Sequence, residues 1–266
     1  MRLLGGLHYL VLGGEASWDD VGGALERHSE FLVRFTAEQR VQTNEVGRAW
    51  ALLPGLLSTG AERVDLVELG ASAGLLLALD RYAYRYREGS WGTGEPLLTG
   101  EGRGGPPASL LARPVEVVRR RGIDLAPIDA TTPAGERLLE AFVWPDQRER
   151  RERLHAAIAA LRRDPPELVQ GDYVELLPEF LRDRRPGALT VVMTSVSTIY
   201  LGEERYQRLL RLLSRAEAPL VWLALEGVRD DPDYQGHALE LTVWPHGERR
   251  RLARVDYHAE WLEWAT

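Results

Sequence analysis

The chain has 266 residues, of which 44% are hydrophobic and 27% are charged, the usual balance for a protein that folds around a buried core. It contains no cysteine, and its 33 lysine-plus-arginine positions are all arginine, so disulfides, thiolate metal sites, Schiff-base catalysis and a P-loop lysine are excluded. The net charge of −7 argues against general nucleic-acid binding.

The N-terminal part of the chain is predicted to be helical. Hydrophobic residues recur at loosely helical spacing over residues 25–35, and a second apolar stripe over residues 41–57 stops near Pro54. We interpret residues 1–60 as a helical segment that acts as a lid or cap, and residues 61–266 as a single α/β domain.

The rest of the chain alternates between short predicted strands and helices. The strands are predicted over residues 64–69, 115–126, 168–172, 189–194 and 220–226. Helices are predicted over residues 75–79, 133–142, 146–163, 174–181 and 203–215. Because apolar strands that alternate with helices are typical of parallel sheets, this order predicts an α/β fold with a mostly parallel sheet.

Two further segments are predicted to form hairpins. Residues 82–88 alternate like a strand and residues 97–99 pair back on them, followed by a loop over residues 100–107. Near the end of the chain, residues 238–244 and 251–257 form an antiparallel β-hairpin across a turn. A mostly parallel sheet that ends in such a hairpin favours a Rossmann-like fold of the class I methyltransferase type.

The glycine-rich turn after the first strand has two interpretations. Residues 70–74 read G-A-S-A-G, which matches the nucleophile elbow of an α/β-hydrolase with Ser72 as nucleophile. Three downstream acids and a histidine follow in the order that a hydrolase requires: Asp230, Asp231, Asp233 and His258. Against this hypothesis, no oxyanion-hole segment precedes the turn, and Glu68 has no role in an elbow.

The second interpretation is a binding site for S-adenosylmethionine. Glu68 stands at the acidic position of the methyltransferase turn, and four residues then form the turn itself: Gly70, Ala71, Ser72 and Gly74. Glycine lets the backbone approach a ligand closely, and the free N–H groups at the start of the helix predicted over residues 75–79 favour the methionine carboxylate of the cofactor.

Acids at the ends of the next two strands extend this site. Asp124 lies in a G-I-D-L-A-P segment and is the candidate acceptor of hydrogen bonds from the ribose hydroxyls. Asp172 is the candidate acceptor for the adenine amino group, and Tyr173 flanks the ring. The alternative is that both acids are only helix caps or turn residues, and Glu88 is the rival ribose ligand.

Several motifs together also resemble a known bacterial family. They are V-Q-T-N-E-V-G-R at 41–48, L-V-E-L-G-A-S-A-G-L at 66–75, D-R-Y-A-Y-R-Y at 80–86, R-G-I-D-L-A-P at 121–127, W-P-D-Q at 144–147, and G-D at 171–172. Their order resembles the domain-of-unknown-function family 2332 over nearly the whole chain. This resemblance implies a methyltransferase-like fold without an established substrate. Leu76 replaces an asparagine expected from the family, Thr194 replaces a histidine, and the N-terminus looks shorter.

Substrate contacts are expected from two places. Asn44, Glu45 and Arg48 are polar residues within an apolar helical stretch, where the alternative is a solvated face or a buried structural network. Thr194 and Ser195 follow the fourth strand, where this fold places substrate-facing residues, and the segment lacks the N-P-P-Y of enzymes that methylate amino groups. We therefore expect a small-molecule substrate; a cofactor-fold protein without catalysis is the alternative.

The remaining expectations concern metals, membranes and location. Six histidines are scattered singly, which predicts no metal site. The apolar stretches are shorter than a membrane span, so we expect no membrane partner and a cytoplasmic location. The pattern does not determine the oligomeric state.

Overall fold

The computed structural model describes residues 1–41, 44–229, 231 and 233–265. The helices are α1 (Arg2–Leu12), α2 (Val21–Arg27), α3 (Ser29–Glu38), α4 (Arg48–Leu57), α5 (Ala108–Leu111), α6 (Pro133–Ala141), α7 (Arg148–Arg162), α8 (Tyr173–Arg182) and α9 (Glu203–Ser214). Short 3₁₀ segments cover Trp18–Asp20, Leu75–Arg81 and Thr198–Tyr200.

The strands are β1 (Arg63–Leu69), β2 (Ala83–Tyr86), β3 (Gly89–Trp91), β4 (Leu97–Thr99), β5 (Glu101–Gly104), β6 (Glu116–Asp124), β7 (Glu167–Gln170), β8 (Leu189–Ser195), β9 (Leu220–Glu226), β10 (His237–Trp244), β11 (Glu248–Val255) and β12 (Trp261–Trp264). Within the described residues, nine strands form one sheet in the order β5-β12-β11-β10-β9-β8-β1-β6-β7, and β3-β2-β4 form a smaller one. The protein is therefore a mixed α/β protein with a large, mostly parallel sheet.

The parallel part of the large sheet is doubly wound. Counted along the chain, β1, β6, β7, β8 and β9 are its first to fifth strands, and they lie side by side in the order 3-2-1-4-5. The order reverses between β1 and β8, which is the switch point where open α/β sheets bind ligands beyond their carboxyl ends. Beyond β9 the sheet continues as an antiparallel meander through β10, β11 and β12.

Alternating burial along the strands separates two helical layers. Val67 and Leu69 of β1 pack in the cluster that contains the buried residues of α8 and α9. Leu66 packs in a larger cluster that contains α4, α7 and the 3₁₀ segment after β1. Every residue of α4 is buried, so this last helix of the N-terminal segment shares its core with the sheet. The division into a cap and a domain at residue 60 stays a prediction.

Two tyrosine hydroxyls explain where helices differ from the predictions. The apolar stripe predicted a stop near Pro54, but α4 continues to Leu57. Proline cannot donate a hydrogen bond to the carbonyl four residues earlier, and the hydroxyl of Tyr86 donates to that carbonyl, on Trp50, at 2.6 Å instead. The predicted helix over residues 75–79 is a 3₁₀ segment, and its Leu75 carbonyl accepts from Tyr82 at 2.6 Å.

The strand pairing also differs from the predictions in two places. Residues 97–99 were predicted to pair back as a hairpin, but β4 is parallel to β2, because β3 follows the turn directly and takes the antiparallel position. The predicted loop over residues 100–107 contains β5, which pairs with β12, a strand that no pattern indicated. The antiparallel hairpin of β10 and β11 agrees with the prediction.

A buried ion-pair network lies at the amino-terminal end of the parallel strands. Asp65 is fully buried and accepts from Arg119 at 2.6 and 3.0 Å and from Arg121 at 3.3 Å. The backbone N–H of Arg185 donates to the same carboxylate at 3.2 Å. Both carboxylate oxygens of Asp65 therefore have partners. Since these partners lie on β6 and on the chain that enters β8, the network joins both segments to β1.

Removal of the central acid should destabilise the protein strongly. We expect Asp65→Ala to lower the free energy of unfolding by about 3–5 kcal/mol, because it leaves the buried guanidinium of Arg121 with only the exposed carboxylate of Asp183, at 3.4 Å. Urea denaturation measures this change. The control is Glu116→Ala, which removes an exposed 3.6 Å pair with Arg63 and should cost less than about 1 kcal/mol. Equal losses in the two variants would contradict the structural role of Asp65.

Candidate functional site

The candidate site lies at the carboxyl edge of the parallel strands, beside the switch point. The end of β1 leads into the glycine-rich turn, β6 ends at Asp124, and β8 and β9 end at Ser195 and Glu226. In the sheet register, Leu69 pairs with Thr194 and Ser195 pairs with Leu225, so these strand ends are immediate neighbours. The residues predicted from separate motifs therefore share one edge.

Positive φ angles and close contacts shape the glycine-rich turn. Gly70, Ser72 and Gly74 have φ values of 81°, 50° and 72°. A Cβ atom on Gly70 would lie 2.6 Å from the Cβ of Ser197, so only glycine allows the loop after β8 to approach this closely. Ser72 adopts the same left-handed region at an energetic cost.

Asp124 connects the turn to the ends of two more strands. One carboxylate oxygen accepts from the N–H of Ser72 at 2.8 Å, and the other accepts from the N–H of Ala126 at 2.8 Å. Its carbonyl accepts from the N–H of Gly171, just beyond β7, at 2.8 Å. Asp124 thus organises the backbone at the ends of β1, β6 and β7. Each oxygen of a carboxylate has a second lone pair, so the group can still accept from a ligand.

Asp172 has the capping role that was the alternative to adenine binding. It is the N-cap of α8 and accepts from the N–H of Val174 at 2.9 Å, and it forms an ion pair with Arg205. Tyr173 donates its hydroxyl to the carbonyl of Ser197 at 3.3 Å. Burial raises the pKa of Tyr173, and the nearby Glu226 adds to this shift. Asp172 therefore caps α8 and links it to α9, and Tyr173 braces the loop after β8.

Glu68 is a buried carboxyl group at the end of β1. Its side chain is 2% exposed, and its Oε2 atom has no hydrogen-bond partner. Burial raises the pKa of Glu68 well above the usual range; Asp124 adds to the shift, and Arg48 opposes it. A buried carboxyl group without a partner is costly to the fold, so it is a candidate for ligand binding.

The predicted substrate residues of the N-terminal segment contact different parts of the structure. Asn44 accepts from the N–H of Ala73 at 3.5 Å, which places the segment directly over the glycine-rich turn. Glu45 is buried and pairs with Arg150 at 2.7 Å and Arg153 at 3.7 Å, both on α7. Its contacts form a buried structural network, the alternative that the sequence analysis raised.

Arg48 differs from the other buried arginines. It begins α4, is 8% exposed, and its Nε atom has no hydrogen-bond partner. Burial lowers the pKa of its guanidinium, while Glu45 and Glu226 act in the opposite direction. Among the residues that the structure describes, no carboxylate forms an ion pair with it, whereas buried Arg121 has Asp65.

The loop after β8 contributes residues that sequence patterns did not reveal. Glu226 ends β9, and one of its oxygens accepts from the N–H groups of Ser197 at 3.0 Å and Thr198 at 3.2 Å. Burial raises the pKa of Glu226, and these two hydrogen bonds oppose the shift. A lone acid at the end of an apolar strand is the same signal that identified Asp124, so Glu226 could have been found by that rule.

Thr194 and Ser195 divide between the two faces of the sheet. Thr194 is fully buried and accepts from the indole N–H of Trp222 at 3.2 Å. Ser195 is buried, and its hydroxyl has no hydrogen-bond partner. The next residue, Val196, has a φ of 54°, which is strained for a β-branched side chain. Strain of this kind concentrates at functional sites, and here it lies beside the switch point.

The residues of the hydrolase hypothesis lie in three segments of the chain. The N–H of Ser72 donates to Asp124, and its carbonyl accepts from Ile128 at 3.2 Å. His258 lies exposed between β11 and β12, and its backbone N–H donates to the carboxylate of Asp256 at 3.3 Å. Asp231 and Asp233 belong to the segment between β9 and β10, and Asp230 lies outside the described residues.

A cavity of about 450 Å³ lies next to this edge. It opens between the N-terminal helices and the segment that follows Asp124, and its lining includes Tyr9, Phe31, Phe35, Ala126, Ile128 and Asp129. As far as the described residues go, none of the cofactor residues predicted from the sequence lines it. The cavity begins two residues beyond Asp124, so it adjoins the candidate site without containing it.

The fold and the site define an α/β protein whose parallel sheet reverses at a glycine-rich turn, the arrangement in which ligands bind at the carboxyl edge. Over residues 1–264 the chain matches the family DUF2332, described as an uncharacterized protein conserved in bacteria, and it belongs to that family. No curated protein matches the chain.

The arrangement of acidic side chains and histidines bears on metal binding, and the length of the helices bears on membranes. In the described part of the chain, no group of three or more histidine, aspartate or glutamate side chains is arranged to hold a metal ion. No helix among the same residues has both the length and the apolar character needed to cross a membrane.

Substitution of Ser72 distinguishes the two interpretations of the turn. Because the backbone hydrogen bonds of Ser72 with Asp124 and Ile128 persist when the hydroxyl is removed, we expect Ser72→Ala to change the free energy of unfolding by less than about 1 kcal/mol in urea denaturation. We also expect no labelling of the wild-type protein by a fluorophosphonate probe. Labelling that disappears in Ser72→Ala would instead identify a serine hydrolase.

Proposed function

We propose that the protein binds S-adenosylmethionine at the carboxyl edge of its sheet and methylates a small molecule. The observation that carries this proposal is the hydrogen bond from the N–H of Ser72 to Asp124, at 2.8 Å. It joins the glycine-rich turn beside the switch point to the acid at the end of the neighbouring strand, so one ligand can contact both.

The cofactor has chemical groups that match this edge. Its ribose hydroxyls need acceptors, and a carboxylate has about four lone-pair sites, of which Asp124 uses two for the N–H groups described above. Its sulfonium and ammonium carry positive charge, which the unpartnered oxygen of Glu68 would complement.

Two structural observations change the roles that the sequence predicted for parts of this site. Asp172 caps α8 and pairs with Arg205, and Tyr173 holds the loop after β8; within this proposal we assign both residues the edge of the adenine pocket. The 3₁₀ segment after the turn is short and kinked at Ala78, so it lacks the aligned N–H groups of the regular helix predicted as the carboxylate site.

Methyl transfer would require little acid–base catalysis from the protein. When bound, the cofactor would supply an activated methyl group, because the neutral thioether that is released when the methyl–sulfur bond breaks is a good leaving group. The residues of this chain would bind and orient the two partners and exclude water, and positioning supplies most of the barrier reduction. The N-terminal segment, held over the turn by Asn44, is the part of the chain placed to cover the reacting groups.

Binding of S-adenosylhomocysteine tests the proposal directly. At about 100 times its dissociation constant the ligand should add about 2.7 kcal/mol to the free energy of unfolding, which raises the melting temperature by about 5 °C or more. Differential scanning calorimetry measures the shift, with adenosine as a weaker control ligand. No shift with S-adenosylhomocysteine at millimolar concentration would refute cofactor binding.

Two substitutions separate the rival ribose acids. We expect Asp124→Ala to weaken S-adenosylhomocysteine at least about tenfold, or about 1.4 kcal/mol, in isothermal titration calorimetry. Glu88→Ala should leave the affinity nearly unchanged, because Glu88 lies in the turn between β2 and β3 of the small sheet. The opposite ranking would move the ribose site away from β6.

A further inference from the structure

The cavity of about 450 Å³ beside the candidate site has an aromatic wall. Tyr9 of α1 and Phe31 and Phe35 of α3 line this wall. Their ring centroids lie 6.0, 5.8 and 5.7 Å apart, so the three rings contact one another. Aromatic rings attract a further ring at such distances, either stacked or edge to face, so this wall suits a planar aromatic ligand.

Close packing of helices holds the aromatic wall in place. A Cβ atom on Gly6 of α1 would lie 3.0 Å from side-chain atoms of both Leu32 and Phe35, so glycine lets α1 approach α3 closely. Phe35 is 6% exposed, and its ring centroid lies 6.1 Å from that of Phe142. Because the rings are already packed without a ligand, binding of a ligand orders few side chains.

The opposite wall is tied to the candidate site by hydrogen bonds. Ala126 and Ile128 both line the cavity. The N–H of Ala126 donates to the carboxylate of Asp124 at 2.8 Å, and the N–H of Ile128 donates to the carbonyl of Ser72 at 3.2 Å. This wall is therefore fixed as well, and the cavity is a preformed pocket between two supported surfaces.

The size of the cavity suits a small molecule. Small-molecule sites are typically clefts of about 300–1,000 Å³ with mostly apolar walls and a few polar groups. Since a cavity of about 150 Å³ holds one benzene ring, this one has room for about two fused rings with substituents.

Polar residues at the cavity select the substituent of the ring. Of the charged side chains that line it in the described part of the chain, two are acids, Glu38 and Asp129, and one is Arg40. The hydroxyl and the backbone N–H of Thr131 donate to Oδ1 of Asp129 at 2.5 and 2.9 Å, and these bonds lower the pKa of Asp129. The carboxylate is thus charged at neutral pH and its Oδ2 can accept from a ligand, which favours a donor over an anion.

We propose that this cavity binds a planar aromatic molecule whose rings contact Tyr9, Phe31 and Phe35 and whose hydroxyl or amine donates a hydrogen bond to Asp129. This binding goes beyond the proposed function and does not rest on it, because none of the cofactor residues predicted from the sequence lines the cavity in the described part of the chain.

Three related ligands test the chemistry of the cavity in isothermal titration calorimetry. 2-Naphthol has two aromatic rings and a donor, decahydro-2-naphthol has the same donor on saturated rings, and 2-naphthoate has the aromatic rings with an anion. We expect 2-naphthol to bind with a dissociation constant below about 1 mM. The saturated analogue should bind at least about threefold more weakly because it lacks ring–ring contacts, and 2-naphthoate should also bind more weakly.

Two substitutions locate the binding. Ala134 is exposed at the start of α6 and lines the cavity, so Ala134→Trp fills it with little strain on the fold and should weaken 2-naphthol at least about tenfold. The matched control is Ala159→Trp, at an exposed alanine on α7, which should leave the affinity within about twofold. If Ala134→Trp fails to fold, Phe31→Leu keeps an apolar side chain, removes a ring and should reduce the preference for 2-naphthol over its saturated analogue.

The outcomes separate this inference from the proposed function. A protein that binds 2-naphthol in the expected order of affinities but does not bind S-adenosylhomocysteine would refute the proposed function and support the inference. A protein that binds S-adenosylhomocysteine but not 2-naphthol at millimolar concentration would overturn only the inference.

Three further results would overturn the inference. One is equal affinity for 2-naphthol and its saturated analogue, which would show that the rings have no role. Another is loss of S-adenosylhomocysteine affinity in Ala134→Trp, which would assign the cavity to the adenine of the cofactor. The third is a dimer in size-exclusion chromatography that Ala134→Trp dissociates, which would assign the cavity to a second copy of the chain.

Discussion

The edge of the sheet that faces the candidate site depends on the carboxylate and carbonyl of Asp124. Through three hydrogen bonds of 2.8 Å, this residue fixes the turn after β1, the chain beyond β6 and the chain beyond β7. Parallel strands leave backbone N–H groups unpaired where they end, and one acid satisfies several of them here. The glycine-rich turn can therefore keep the positive φ of Ser72 without being open to solvent on its inner side.

Buried charged groups are paired at the amino-terminal edge of the sheet and keep unsatisfied polar atoms at its carboxyl edge. At the amino-terminal edge, Asp65 and its arginines satisfy each other almost completely, which suits a structural element. At the carboxyl edge, Glu68, Arg48 and Glu226 are equally buried but leave polar atoms unsatisfied. Paired charges thus lie at the edge that stabilises the sheet, and unsatisfied polar atoms lie at the edge of the candidate site, a common division between stability and function.

The sequence patterns predict the parallel strands well, because short apolar stretches such as β1 and β9 have few alternatives in an α/β protein. They fail where distant residues decide the structure: the hydroxyl of Tyr86 allows α4 to continue past Pro54, and β5 forms only through its pairing with β12. The turn, Glu68 and Asp124 were identified from local motifs. Ser197 was not, because its contacts come from Gly70, Tyr173 and Glu226 in three separate segments.

The pairing of β5 with β12 also sets the order in which the protein can be completed during synthesis. Residues 101–104 leave the ribosome long before residues 261–264. The N–H of Glu101 can donate its 2.7 Å hydrogen bond to the carbonyl of Glu260 only after that later segment has been made. Until then the glycine- and charge-rich β5 segment has no partner, and its composition keeps it from pairing with other nascent chains. The large sheet therefore cannot acquire its outer edge before residues 261–264 have been synthesised.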